Sequence, residues 1–352
     1  MMKDQKECIG QMFKKCRKNQ IVFGALALVL VLMLAVTAFA ADKYPSRPIV
    51  MIVPFNPGGA TDQIGRKLSP NMQKYLKTPI AVQNMPGGAT AIGNQYVYDA
   101  PRDGYTVLVQ PTDITSIAVM GQSKLTWKNW DFLGIAAAVP AVFLVHPGSP
   151  LKNIKDLEKA LKEKQLTCAV AADGCAWTRA IGLYNNLIAG KMPKLVPMGG
   201  GYPAAVSALK KEVNIAACGL PEAYDLIAGK KLRVIGYWGT ENIEVPGYGK
   251  IDSVVKTYPS FKKYLPFGGW VGMAVPKGLP KDVLNKLQKA YNYAAAQPEF
   301  KDFLLKSFYV KVGLSGKKAA DFAALSTSVN AWLLYDLGFA KINPQDLGIS
   351  RP

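Results

Sequence analysis

The chain has 352 residues, 49% of them hydrophobic, and a formal net charge of +19. Its length suits two medium-sized domains better than one. The lysines are spread over many predicted helices, with no dense basic tract and no nucleic-acid motif; the charge therefore reads either as a solvated basic surface or as long-range attraction of small anions, and no nucleic-acid partner is expected.

The N-terminus reads as a leader. A basic start, "MMKDQKECIGQMFKKCRKNQ", precedes an apolar run from Ile21 to Ala41. With the small-residue site Ala38-Phe39-Ala40, this predicts a secretory signal over residues 1–40, cleaved after Ala40. The run is also long enough to span a bilayer, which keeps an uncleaved anchor open. No Cys stands directly after the site, against a lipid anchor. Either way the body is expected in the periplasm. The leader holds six Lys/Arg and two Asp/Glu, so the 312 residues beyond it keep +15. Three cysteines lie there, Cys168, Cys175 and Cys218. An oxidising compartment allows them one disulfide and one leftover thiol, and spacing does not choose the pair.

From Ile49, "IVMIVPF" has the β-branched, apolar character of a buried parallel strand. A Pro/Gly loop follows, then "TDQIGRKLSPNMQKYL", with Ile64, Leu68, Met72 and Tyr75 or Leu76 at helical spacing. Next come "PIAVQN", a second Gly loop and the helical "TAIGNQYVYDA". The turn "PRDG" leads into "YTVLVQ", which ends at Thr112 and Asp113. Strand–loop–helix recurs three times, the order of a doubly wound α/β domain. A second cycle starts near "AVFLVHP". It continues through the helix "IKDLEKALKEK", the strand "LTCAVA", the helix "WTRAIGLYNNLIAG", the strand "KLVPM" and the helix "GYPAAVSALKKE". The strands "VNIAACG" and "KLRVIGYWG" complete it. "GWVGMAVP" is predicted to cross back, and three helical stretches close the chain. The pattern predicts two α/β lobes, residues 41–140 with 268–352 and residues 141–267, joined by two crossings.

The pentapeptide Pro-Gly-Gly-Ala-Thr occurs at Pro57–Thr61 and again at Pro86–Thr90. Both copies join the carboxyl end of a predicted parallel strand to a helix, the station at which such folds bind ligands. Glycines allow close backbone approach. Thr61 or Asp62 in one loop and Thr90 in the other are candidate helix caps. The first-turn N–H groups and the helix dipole form an anion site without a cationic side chain. A tight turn with a cap explains either copy alone; two copies at the same station favour a carboxylate gripped between them. Neither copy matches a nucleotide-binding fingerprint.

"YPSRPIVMIVPFNPGGATDQIGRKL" and "PIAVQNMPGGATAIGNQYVYDAPRDGYTVLV" resemble the solute-binding proteins of tripartite tricarboxylate transporters, the Bug-type periplasmic receptors. The resemblance extends through "DFLGIAAAVPAVFLVHPGSPLKNIKDL", "AAVSALKKEVNIAACGLPEAYDLIAGKKLRVIG" and "GMAVPKGLPKDVLNKL". It implies a two-lobed periplasmic binding protein clamshell, each lobe a doubly wound sheet with flanking helices. It also implies that the protein is no enzyme, works as a monomer without cofactor or metal, and hands a small carboxylate to membrane permease subunits. The solute class is a di- or tricarboxylate or an aromatic carboxylate. Carried over by motif, its carboxylate meets Phe55, Asn56, Gly59, Ala60, Thr61 and Asp62 in the first loop. Asn84, Gly87, Gly88 and Ala89 meet it in the second. Thr112 and Asp113, which end the third strand in a similar setting, are candidates from the strand–loop pattern itself.

The second lobe departs from the family pattern. "AVAADGCAWTR" places Asp173, Gly174 and Cys175 where relatives usually carry a Gly/Ser loop, and Cys218 stands near a usual acid. Both cysteines fall at strand ends facing the cleft, which leads to an expected Cys175–Cys218 disulfide with Cys168 as the rival partner. "MGGGYPAA" adds Gly200, Gly201 and Tyr202 to the cleft. Trp177 is expected in the core or stacked on a planar solute. Arg179 is expected to pair with a second carboxylate, or at the surface if it lies inside the helix. The single histidine, His146, has no partner motif for zinc or nucleophilic chemistry. Asp62, Asp113, Asp173 and Glu222 suit helix capping as well as acid/base work. The alternative role is a periplasmic sensor module that signals to a membrane kinase.

Overall fold

Ile49–Val53 (β1) buries Ile49, Met51, Ile52 and Val53 completely, as a strand covered on both faces must. The computed structural model describes residues 44–264 and 268–352, and the predicted leader lies outside the described residues. After β1 comes α1 (Ala60–Leu76), which turns Ile64, Leu68 and Met72 onto the sheet. Pro70 sits inside this helix and cannot donate to the Arg66 carbonyl; the Ser69 hydroxyl does so instead at 3.4 Å. The first half continues with β2 (Ile80–Asn84), α2 (Ala91–Asp99) and β3 (Thr106–Pro111). β1 pairs in parallel with both β2 and β3.

β4 (Trp130–Val145) is a single 16-residue strand shared by the two halves. The second half follows as α3 (Ile154–Glu163), β5 (Thr167–Val170), α4 (Ala176–Tyr184), β6 (Lys194–Pro197), α5 (Gly201–Leu209), β7 (Ile215–Gly219), α6 (Tyr224–Ala228) and β8 (Arg233–Tyr237). β5 pairs in parallel with β6 and β7, repeating the arrangement of the first half. β8 does not extend this parallel set, as the run of apolar strands had suggested, but pairs antiparallel with β4. A small hairpin, β9 (Ile243–Val245) with β10 (Gly249–Ile251), precedes the return strand β11 (Gly268–Pro276). The chain closes with α7 (Lys281–Ala296), α8 (Pro298–Lys306), β12 (Val310–Ser315) and α9 (Gly316–Asp336).

The strands form one curled sheet in the order β2-β1-β3-β11-β4-β7-β5-β6, with β8 and β12 also on β4. β4 pairs with β11 from Trp130 to Pro140 and with β7 and β8 from Ala141 to Val145. The two parallel sets thus meet through antiparallel strands, and Arg47–Pro352 packs as one unit. One core fills the space between β1, β3, β4, β11 and α9; another lies where β7 meets α5. The mixed α/β fold, with flanking helices on a curled sheet, places the carboxyl ends of β1, β3, β5 and β7 around one cleft. Among the described residues no helix is long and apolar enough to cross a membrane.

Candidate functional site

The cleft narrows to a cavity of about 30 Å³, room for a water or two. The first Gly loop forms one wall with Phe55, Gly59, Ala60 and Thr61. Thr112 and Asp113, in a short 3-10 turn after β3, form the next. From the second half come Cys175 at the start of α4, and Gly200 and Gly201 at the start of α5. These nine of the sequence-nominated residues meet at one place.

The cavity also has walls the sequence left undecided or missed: Trp177 on α4, expected in the core or on the solute, Glu222 in the turn after β7, expected only as a cap or acid/base group, and Trp270 on β11, which no sequence signal marked. Glu222 crosses the cleft. Its Oε1 accepts the Ala60 N–H of α1 at 3.0 Å, and its Oε2 accepts the Gly219 N–H at 2.7 Å. A carboxylate is thus already seated on the first-turn donor that the helix start offers to an anion. The signal was present in "CGLPEA": an acid just past the carboxyl end of the parallel strand β7, at the same station as the Gly loops.

The cavity is electrostatically acidic. Burial pushes the Glu222 carboxyl up to about 7, against the N–H groups of Ala60, Gly219 and Gly201 that favour its charge. Burial likewise pushes Asp113 up to about 6, opposed by the positive charge of Arg179. The buried atoms Asp113 Oδ1 and Thr112 Oγ1 have no hydrogen-bond partner among the described residues. Arg179 is completely buried inside α4, so its placement at the surface is corrected. Its Nη1 donates to the Gly174 carbonyl at 2.8 Å, while Nε and Nη2 are unpartnered among the described residues. A guanidinium keeps its charge even so, and it faces Asp113 as the nearest compensating group.

The remaining nominated residues are placed outside the cavity wall. Asp62 lies behind the first loop: it accepts the Gly58 N–H at 3.0 Å, Asn84 Nδ2 at 2.9 Å and Arg66 Nε at 2.9 Å. Burial raises its carboxyl, but those three donors win and hold it below the ordinary value. Asn84 also donates to the Phe55 carbonyl at 3.0 Å. Asn56 and Tyr202 join the two halves at the rim. The Asn56 N–H donates to the Gly199 carbonyl at 3.1 Å, and the Tyr202 ring packs against Gly58. Asp173 is exposed, and Gly174 holds φ +72° beside Met120.

The second Gly loop does not line the cavity. Gly87 and Gly88 are exposed and Ala89 is half-buried, so the two-loop grip is not formed here. The Thr90 N–H folds back onto the Gly87 carbonyl at 3.1 Å, which tightens the loop into a 3-10 turn. Neither loop uses a side-chain cap: Gly59 and Thr90 are the N-cap residues, and no cap hydrogen bond forms at either. The expected Cys175–Cys218 bridge is also corrected, because Cys168, Cys175 and Cys218 are all buried and free. Cys218 packs with Ala204, Ala205 and Ala208 of α5, whereas Cys175 starts α4 with its Sγ 3.7 Å from the Thr178 hydroxyl. His146 Nδ1 accepts the Gly148 N–H at 2.9 Å, a turn contact away from the cleft.

Comparison with known proteins agrees with this architecture. Residues 64–330 match the model of the family described as "Tripartite tricarboxylate transporter family receptor". A UPF0065 protein of Bordetella pertussis is 28% identical over 278 residues, 78% of this chain and 84% of that relative. The structure of the periplasmic binding protein BugD superposes with a TM-score of 0.77 at 24% identity, covering 84% of this chain and 99% of that one. MatC from Rhodopseudomonas palustris, solved with bound malate, gives 0.75 at 22% identity over 83% of this chain and all of that one. The chain belongs to the tripartite tricarboxylate transporter receptor family, whose members are periplasmic solute-binding receptors and not enzymes.

Proposed function

We propose that this protein is an exported receptor that captures a small carboxylate-bearing solute between its two halves. It then delivers the solute to permease subunits of a tripartite tricarboxylate-type transporter. The observation that carries the reading is the convergence of two helix starts, Gly59–Thr61 and Gly200–Gly201, on one aromatic-walled cavity at the strand ends. Helix starts of this kind recognise anions through backbone N–H groups, and the seat taken by Glu222 displays that chemistry inside the protein. The malate bound by the similarly folded MatC supports a carboxylate as the solute class.

On this reading residues 41–140 with 268–352 form one lobe, 141–267 the other, and the working receptor is a monomer. Residues 1–40 direct export and are removed after Ala40. A cavity of about 30 Å³ is far below the roughly 300–1,000 Å³ of small-molecule sites, so solute entry requires the walls to separate. The test is a thermal-shift screen of ligand-stripped protein recovered from the periplasm, its N-terminus read by mass spectrometry. At a hundredfold excess over Kd a ligand adds about 2.7 kcal/mol, which raises the melting point by a few degrees. A shift from carboxylates that their amides do not produce supports the reading; no shift across the carboxylate library overturns it.

A further inference from the structure

Glu222 has a seat made for its carboxylate. Gly59, Gly201 and Gly219 surround it: a Cβ at Gly201 would overlap the carboxylate, and one at Gly59 would come within 3.2 Å of Oε1. A Cβ at Gly219 would come within 3.0 Å of Oε2. The Ala60 and Gly219 N–H groups occupy one lone-pair site on each oxygen, and the Gly201 N–H also favours the charged form. An ionised carboxylate has about four such sites, so Glu222 retains accepting capacity toward the cavity. Asp113 adds a second buried carboxylate with an unpartnered oxygen.

No side chain among the described residues lining the cavity is cationic. Arg179 compensates Asp113 from behind the wall, whereas the charge acting on Glu222 is that of Asp113, also negative. A solute carboxylate brought to this end would find the Ala60 donor taken and a like charge beside it. A positive nitrogen would find two acceptors, and Phe55, Trp177 and Trp270 supply aromatic faces of the kind that favour cations.

Building on the solute-receptor reading above, we infer that the solute carries an ammonium group as well as a carboxylate, and that Glu222 with Asp113 selects it over a plain dicarboxylate. The ammonium docks on the Glu222–Asp113 end. The solute carboxylate is left to the unclaimed donors of the α1 start around Thr61. Glu222 is the specificity-determining residue, because its carboxylate turns an anion seat into a cation-accepting wall.

The test is isothermal titration of the ligand-stripped full protein at pH 7.5 with probes matched in carbon frame: glutarate against glutamate, and succinate against aspartate and γ-aminobutyrate. The expected result is at least tenfold tighter binding of an amino-bearing probe than of its ammonium-free partner. E222Q keeps one acceptor and the side-chain shape; it should weaken the amino-bearing probe at least tenfold and leave the partner unchanged or tighter. Far-ultraviolet circular dichroism and the melting point establish that E222Q is folded. A dicarboxylate that binds tighter than every amino-bearing probe overturns the inference and leaves the receptor reading standing, as does an E222Q variant with an unchanged ratio. Absence of binding by every probe overturns the inference; the receptor reading falls only if the thermal-shift screen of the carboxylate library is blank as well.

Discussion

At the scale of single residues, the site is governed by two carboxyl groups that burial makes reluctant to ionise. An unfolded Glu222 titrates near 4.5, but in the folded protein burial pushes it up to about 7. Between those pH values the folded state binds the extra proton, so the contribution of Glu222 to stability falls as pH rises, and the loss is complete above the folded value. A separation of that size corresponds to a penalty on the order of 3 kcal/mol in alkaline solution. Asp113, pushed up to about 6 by burial against the pull of Arg179, acts in the same direction over a lower window. The melting point of E222Q minus that of the wild type should therefore grow more positive from pH 5 to pH 8, by about 5 °C or more. Differential scanning calorimetry across that range reads it directly. A difference that stays constant with pH would falsify the assignment of a raised, buried carboxyl at this position.

At the scale of elements, the first Gly loop is held in place from behind by the side chain of Asp62. That one carboxylate gathers the loop amide of Gly58, the amide of Asn84 at the end of β2, and Arg66 one turn further along α1. Removing it leaves three donors without their acceptor in a part-buried setting, so Asp62→Ala should cost about 2–3 kcal/mol in urea denaturation. Asp62→Asn keeps an acceptor for the Gly58 N–H and should lose less; equal losses in the two variants would count against the loop-bracing role. This brace shows what was and was not legible in the sequence. Asp62 was visible as a helix-start acid, and the apolar runs of β1, β3, β5 and β7 followed from local pattern alone. Which strand ends converge was not legible, because that depends on the long-range pairing of β4 with β11, β7 and β8. Hence the repeated pentapeptide suggested two equal loops, whereas the wall of the cavity is completed by the turn holding Glu222. Arg179 fails for a related reason. Helix periodicity leaves a lone Arg its ordinary surface placement, but α4 is covered on all sides and buries every one of its residues.

At the scale of the whole molecule, the two halves are joined covalently through β4 and the return to β11, and polar bonds across the cleft hold them closed. The Ala60 N–H to Glu222 and the Asn56 N–H to the Gly199 carbonyl both cross from one half to the other. Each intramolecular bond of this type contributes about 1 kcal/mol net, more for the charged acceptor, and the Tyr224–Phe308 ring pair adds an apolar contact across the same halves. A solute that bridges the same walls adds its binding energy to the closed form alone. Amide hydrogen exchange should then separate two populations of backbone. The N–H groups of Asn56 and Ala60 should exchange at least tenfold more slowly under saturating solute. Those of β5 and β6, which pair within one half, should exchange at the same rate with and without it. Equal protection of all four sites on binding would mean that the solute stabilises the fold as a whole, and that the cleft does not open between these halves.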